Sequence, residues 1–198
     1  MSTLNVTNIK AADGTSGLSI ANSTGQVTLS PTVVNRNNSV VLRGFYLNTN
    51  YNTTTTSATL TNWSEMNSAS KGFKPVGVAN GVTVSSGLFS FAVTGVYRCS
   101  WTVHVATISA DTRWLQADFR YTPNGGSGVQ GDTYNYVQVT SSNNTYSSFM
   151  RERYFNIAHT GDTVQCRINA ESTVTVRGST DAMGGDTWIF FEKVAEAV

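Results

Sequence analysis

The chain has 198 residues and a net charge of +1, so it offers no field of one sign that would attract nucleic acid or an anionic membrane. Only 13% of its residues are charged, and much of the remainder is Thr, Ser, Asn and Gly, which favours strands and tight turns over helices. No stretch approaches the roughly 18 apolar residues of a membrane-spanning helix, and the first residues lack the pattern of a secretory signal, so we expect neither.

Residues 1–36 contain three short runs of alternating apolar residues, separated by turn sequences. Each run predicts a very short strand, and such strands bury too little surface to be stable in a monomer. We therefore predict an attachment segment that docks on a partner or shares a core among copies, with a flexible tail as the alternative. Its candidate contact residues are Leu4, Val6, Ile9, Leu18, Ile20, Val27 and Leu29.

Residues 37–42 look like a connector, and residues 43–198 carry a long series of predicted strands that forms a head domain. Asn80-Gly81 lies between two pairs of alternating valines, which predicts a β-hairpin. Asn124-Gly125-Gly126 predicts a second turn after a strand. Regular short strands with turns between them are typical of an antiparallel sandwich or barrel.

Within the segment 89–105, residues 97–105 alternate cleanly with a period of two. Its apolar side chains fall on one face and its polar side chains, including His104, on the other, which predicts a half-buried antiparallel strand. Cys99 is in phase with the apolar face, and Cys166 is in phase with apolar neighbours of its own strand. We expect two buried free thiols rather than a disulfide. The predicted inward residues are Tyr97, Cys99, Trp101, Val103 and Val105.

The last predicted strand, residues 187–191, has apolar side chains on both faces. Trp188 and Phe190 alternate with Ile189 and Phe191. A surface strand of a monomeric sandwich would carry polar residues on one face. Either this strand is enclosed on both sides, or its second face meets another subunit. We favour the second explanation, which makes these four residues candidates for an oligomer interface.

The stretch 87–103 resembles the signature of the trimeric jelly roll shared by complement-type globular heads and tumour-necrosis-factor-like proteins. The turn Gly161-Asp162 and the closing aromatic strand 188–191 are also similar to that family, and the resemblance covers residues 43–195. It implies a jelly roll of about ten strands, three copies around an axis, loops that face a receptor, and no catalysis. The matching residues are Phe89, Phe91, Val93, Thr94, Gly95, Val96, Tyr97 and Trp101.

A second resemblance lies at the start of the chain. Residues 2–9 are similar to the opening of many phage virion proteins, especially those of cyanophages, in which a shared attachment segment precedes a variable distal domain. The segment 45–63 is similar to the first strand region of phage versions of the jelly roll. Together these likenesses imply a phage structural protein located in the virion, bound to other tail or capsid proteins through its N-terminal segment.

The residues that could carry chemistry form no recognisable catalytic pattern. His104 and His159 stand apart from any group with metal-ligand spacing, and no nucleophile elbow or phosphate-binding glycine loop is present. Asp181 and Asp186 flank a glycine pair, for which a solvated turn is favoured over a calcium site. We expect no catalytic residue, no cofactor and no metal.

Receptor contact is the more plausible chemistry. Tyr134, Tyr136 and Tyr146 lie among Asn, Ser and Thr, and aromatic platforms with such neighbours can bind sugars, although alternating tyrosines are also ordinary strand residues. The predicted function is a non-enzymatic, homotrimeric tail fibre or tail-associated adhesin that attaches to the host surface, with host-surface polysaccharide as a candidate ligand. The alternatives are a capsid decoration protein and a small glycan-active enzyme with a pair of carboxylates.

Overall fold

The computed structural model describes residues 8–10, 16–20, 27–29, 40–53, 57–67, 73–107, 112, 114–124, 126–127, 129–130, 146–179 and 186–198. Seventeen strands lie in this part of the chain: β1 Asn8–Lys10, β2 Ser16–Ile20, β3 Val27–Leu29, β4 Val41–Leu47, β5 Tyr51–Asn52, β6 Ala58–Thr59, β7 Trp63–Glu65, β8 Val76–Gly77, β9 Val82–Ser85, β10 Leu88–Phe91, β11 Gly95–Thr107, β12 Leu115–Thr122, β13 Val129–Gln130, β14 Tyr146–Ile157, β15 Thr163–Ala170, β16 Val174–Val176 and β17 Trp188–Ala195. Within these residues no helix has the length and apolarity needed to cross a membrane.

The chain divides into two compact units, residues 1–39 and 40–198. The first unit contains a three-stranded antiparallel sheet in the order β1-β2-β3, in which Leu18 lies opposite both Ile9 and Leu29. The predicted strands around Leu18 and Leu29 are therefore confirmed. The predicted strand around Leu4 and Val6 lies outside the described residues.

The second unit is a sandwich of two antiparallel sheets. In the smaller sheet the strands follow the order β13-β12-β15-β10-β9, and β6 also pairs with β15. In the larger sheet β11 pairs with β14 on one side and with β17 and β16 on the other, and β17 pairs in turn with β4. Short strands β7 and β8 both pair with β4, and β5 pairs with β16.

The core lies between the two sheets and is built by the alternation of their strands. The inward residues predicted for the segment 89–105 are all fully buried, which confirms the prediction, and Cys99 and Cys166 are both buried free thiols. Burial raises the pKa of each thiol well above its usual value. An aromatic cluster fills one part of the core, where the ring centroids of Phe89 and Phe191 are 4.8 Å apart.

The prediction of a hairpin at Asn80-Gly81 is wrong. The chain does turn there, with Asn80 in the left-handed region at φ 55° and the Gly81 N–H donating to the Val78 carbonyl. However, β8 pairs with β4 in the larger sheet, whereas β9 pairs with β10 in the smaller one. Gly77 permits the pairing of β8 with β4. Its backbone, at φ 87°, passes so close to Val40 that a Cβ would overlap the Val40 carbonyl oxygen. The turn therefore connects the two sheets.

A buried ion pair lies on the outward side of the smaller sheet. Asp118 and Arg167 face each other across β12 and β15, and the guanidinium donates to both carboxylate oxygens. Asp118 is 5% exposed and Arg167 is 8% exposed. A two-point bond of this kind satisfies both charges where little water reaches them.

A second buried carboxylate, Asp162, fixes the turn before β15. It accepts hydrogen bonds from the backbone N–H groups of Asn124 (2.8 Å) and His159 (3.0 Å) and from the Tyr121 hydroxyl (3.0 Å). Burial alone would raise the pKa of Asp162, but these bonds outweigh it and lower the pKa below its usual value. Burial and the bond to Asp162 raise the pKa of Tyr121 to about 12.

Candidate functional site

The last strand, β17, presents its two faces to different surroundings. Ile189 and Phe191 point into the sandwich and are fully buried within the single chain, so their side chains offer no surface to another subunit. Trp188 and Phe190 point outward and are partly exposed. Of the four residues predicted as an oligomer interface, only Trp188 and Phe190 can therefore contact another subunit. The alternation of the strand places the other two side chains in the core.

Around these two residues the outward side of the larger sheet forms a shallow groove with a volume of about 280 Å³. We call this surface the assembly face. Its lining residues are Leu42, Arg98, Ser100, Met150, Trp188, Phe190 and Glu192.

Strand register brings the assembly face together from distant parts of the sequence. Thr102 on β11 lies opposite Met150 on one side and Trp188 on the other. Residues paired in this way point to the same side of a sheet, so the long apolar side chains of β14 and β17 flank a short threonine. The Met150 side chain is 59% exposed, although it belongs to an apolar type that sandwiches usually bury.

The Phe190 ring packs against Gly44 on the assembly face. A Cβ on Gly44 would come within 2.5 Å of the Phe190 ring, so only glycine leaves room for this packing. The ring centroid lies 5.0 Å from that of Trp188 and 5.1 Å from that of Phe73. Three aromatic side chains therefore form one cluster on the outside of the sheet.

One edge of the assembly face is charged. Arg98 forms an ion pair with Glu192 at 2.5 Å, and Ser100 donates to Glu152 at 3.1 Å. The negative charge of Glu192 raises the pKa of Arg98. The face thus combines an apolar centre with a polar border, which is the composition of protein interfaces.

A separate open cavity of about 320 Å³ lies where β11, β14 and β16 come together with the residues just before β17. It is lined by His104, Tyr146, Arg177 and Asp186, none of which lines the assembly face. The Arg177 backbone N–H donates to the His104 carbonyl at 2.8 Å, and this bond continues the pairing of β16 with β11. The backbone therefore fixes where the Arg177 side chain emerges.

Side chains in this cavity form a stacked and ion-paired group. The Arg177 guanidinium lies 4.8 Å from the centre of the Tyr146 ring, and its Nε lies 3.3 Å from Asp186 Oδ1. Stacking on the ring and pairing with the carboxylate together hold the guanidinium in one place. Tyr146 nevertheless remains 54% exposed.

Sequence reasoning found only part of this cavity. Tyr146 was predicted as a receptor contact, whereas Tyr134 and Tyr136 lie outside the described residues. Arg177 was missed, and Asp186 was considered only as one side of a loop. Their positions in the chain are the signal that could have found them. Arg177 directly follows β16, and Asp186 lies shortly before β17.

The described residues contain no group of three or more His, Cys, Asp or Glu side chains placed to hold a metal ion. Of the two histidines, His104 lines the cavity, and the backbone of His159 binds Asp162 in a turn. The calcium alternative to a solvated turn at Asp181 and Asp186 involves Asp181, which lies outside the described part of the chain.

Solved structures that share the fold of this chain include murine APRIL and Eiger TNF from S. frugiperda. Murine APRIL at pH 5.0 aligns with a TM-score of 0.54 and 13% sequence identity over 78% of this chain and 99% of its own. Eiger TNF from S. frugiperda aligns with a TM-score of 0.55 and 14% identity over 81% of this chain and 96% of its own. Identities this low establish the fold alone, which is a TNF-like jelly roll, and the predicted antiparallel jelly-roll sandwich is confirmed. No protein-family model and no curated protein matches the sequence.

Proposed function

We propose that this protein is a non-enzymatic structural and binding protein that forms a homotrimer through the assembly face. The observation that carries the proposal is the apolar outward side of a sheet whose inward side already completes a core. Trp188, Phe190 and Met150 leave water only if another surface covers them, and burying such side chains is the main driving force of association. The number of copies, three, is inferred from the resemblance to trimeric jelly rolls.

The charged edge of the assembly face suits association between identical copies. Arg98 and Glu192 neutralise each other within one chain, so two such edges can approach without net repulsion. Because every copy carries the same surfaces, a threefold axis repeats one heterologous contact, in which the assembly face of one copy meets a different surface of the next, and closes the ring.

We further propose that the trimer is part of a virion, as a tail fibre or tail-associated adhesin that binds the host surface. The sequence likeness to phage virion proteins supports this role, as does the separation of a small N-terminal unit from the jelly roll. The first unit would bind other virion proteins through its three-stranded sheet. A capsid decoration protein would use the same two units and differ only in the partner of the first.

Sedimentation of the full chain tests the trimer. We expect the mass of three chains for the unmodified protein and a single-chain mass for Met150→Asp, because the substitution places a charge in the interface. Met150 is 59% exposed in the single chain, so this variant keeps its fold.

Leu88→Asp is the matched control. Leu88 is also an exposed apolar residue, at 38%, but it lies on the outward side of the smaller sheet. It should leave the mass of three chains unchanged. A single-chain mass for the unmodified protein, or an unchanged mass for Met150→Asp, would refute the proposed assembly.

The virion role has its own test. Mass spectrometry of purified virus particles that encode this chain should detect it as a particle component, and antibodies against residues 40–198 should reduce adsorption to host cells. Absence of the chain from the particles would exclude both the tail and the capsid placement. Presence without any effect of the antibodies would favour the capsid placement.

A further inference from the structure

We infer that the cavity lined by His104, Tyr146, Arg177 and Asp186 is a binding site for a neutral sugar, recognised through two neighbouring hydroxyl groups. The inference rests on the proposed attachment function and names the ligand class that this function would use. Its evidence is the volume of the cavity and the geometry of Tyr146, Arg177 and Asp186.

The first step is the volume of the cavity. At about 320 Å³ it is near the lower end of the range of roughly 300–1,000 Å³ in which small-molecule sites fall. In the single chain it is open to solvent on one side, because Tyr146 is 54% exposed. A cavity of this kind can hold a terminal sugar ring while the rest of a glycan chain extends outward.

The second step is hydrogen-bonding chemistry. Asp186 can only accept hydrogen bonds, and Arg177 can only donate them. The two groups lie side by side, with Nε and Oδ1 3.3 Å apart, and Arg177 keeps further N–H groups beyond that one. A hydroxyl group both donates and accepts, so two adjacent hydroxyls match one donor next to one acceptor.

The third step is charge. The positive guanidinium and the negative carboxylate cancel, so the pair does not favour a charged ligand of either sign. An anionic ligand that approached Arg177 would also approach Asp186 and be repelled at short range. This argument selects a neutral sugar over a sialic acid, a sulfate or a phosphate.

The fourth step is the aromatic ring. Arg177 covers Tyr146 from one side at 4.8 Å, which restricts the ring's movement. The exposed remainder of the ring offers an apolar surface on which the C–H face of a sugar can pack. Polar groups therefore orient the ligand while the ring supplies contact area.

The test is saturation-transfer NMR on the full chain with the methyl glycosides of glucose, galactose, mannose and N-acetylglucosamine. N-acetylneuraminic acid serves as the anionic comparison. We expect signal transfer to at least one neutral glycoside and a weaker signal for the acid. Tyr146→Ala and Asp186→Asn should each weaken binding by about tenfold or more, in line with loss of one strong contact.

Two controls separate a specific site from loss of structure. Tyr146→Phe keeps the ring and should retain binding, because packing does not use the hydroxyl. Glu196→Gln neutralises an exposed carboxylate that is ion-paired with Lys193 away from the cavity, and should also retain binding. Both controls and both test variants should keep the unfolding temperature of the unmodified protein.

The inference fails if no neutral glycoside gives a signal, if the acid binds better, or if neither Tyr146→Ala nor Asp186→Asn weakens binding. Sedimentation of the same samples distinguishes this failure from that of the proposed assembly. A trimer that binds no sugar refutes the site and leaves the assembly standing. A single chain that binds sugar refutes the assembly and leaves the site standing.

Discussion

The two sheets of the sandwich bury similar inward faces but present different outward ones. On the smaller sheet the outward positions are mostly polar, as in Gln116, Gln165 and Asn169, all of them half-buried. On the larger sheet the outward positions include Trp188 and Phe190. The outward side of the smaller sheet is therefore mostly polar, whereas that of the larger sheet exposes a second apolar surface.

This contrast shows how much the alternation of a strand can reveal. A polar outward face needs no further contact, because water can form hydrogen bonds with its side chains. An apolar outward face implies a further contact, and the strand alone does not say with what. The buried pair Asp118–Arg167 refines the contrast, because it shows that the smaller sheet also contains outward residues with little access to water.

The largest effect should come from a charge on the inward side of β17. Phe191 is fully buried and lies 4.8 Å from Phe89 and 5.6 Å from Phe91 between ring centroids. We expect Phe191→Asp to prevent folding, because it buries an unpaired carboxylate. Circular dichroism should show no cooperative thermal transition, in contrast to the outward Leu88→Asp. A folded Phe191→Asp protein would mean that the two sides of the larger sheet are less distinct than described.

A smaller but still large effect should come from the outward ion pair of the smaller sheet. Asp118→Leu leaves Arg167 buried without its partner and should lower the free energy of unfolding by about 3–5 kcal/mol. The double variant Asp118→Leu, Arg167→Leu should recover much of that loss, since neither charge remains. Urea denaturation of the unmodified protein and of the two variants measures this. Equal losses in the single and double variants would show that the pair is not a coupled unit.

The smallest of these effects should come from Asp162 and should depend on pH. Asp162→Asn replaces a charged acceptor of three hydrogen bonds and should cost about 1–3 kcal/mol at neutral pH. The pKa of Asp162 is lowered in the folded chain, so its stabilisation is present above the unfolded-state pKa and is lost as the pH falls through the folded-state value. The difference between the two proteins should therefore shrink in acid. A difference that stays constant across this pH range would contradict the assignment.

The sequence predicts those parts of the fold that depend on the local alternation of apolar and polar residues. The inward face of β11 was predicted correctly because Tyr97, Cys99 and Trp101 follow the period of a strand without interruption. The prediction of a hairpin at Asn80-Gly81 was wrong, because turn-forming residues specify that the chain reverses but not which strands pair on each side.

Contacts set by register are hidden from the sequence. Asp118 and Arg167 are separated by 49 positions, and only the pairing of β12 with β15 brings them together. The cavity shows the same limit, since Tyr146 and Arg177 meet because both flank β11. The sequence predicts that residues 187–191 have apolar side chains on both faces. Which of the two faces packs into the core depends on the register of the strand in the folded sheet.

The position of Phe190 over Gly44 has a consequence for the proposed association. A large side chain that moves freely in the separate chain loses about 0.5–1.5 kcal/mol of conformational freedom when an interface fixes it. Phe190 is already confined by the glycine below it and by Trp188 and Phe73 beside it. Folding of the single chain has thus preorganised this anchor, and in a trimer the entropy that it would otherwise lose is saved at each of the symmetric contacts.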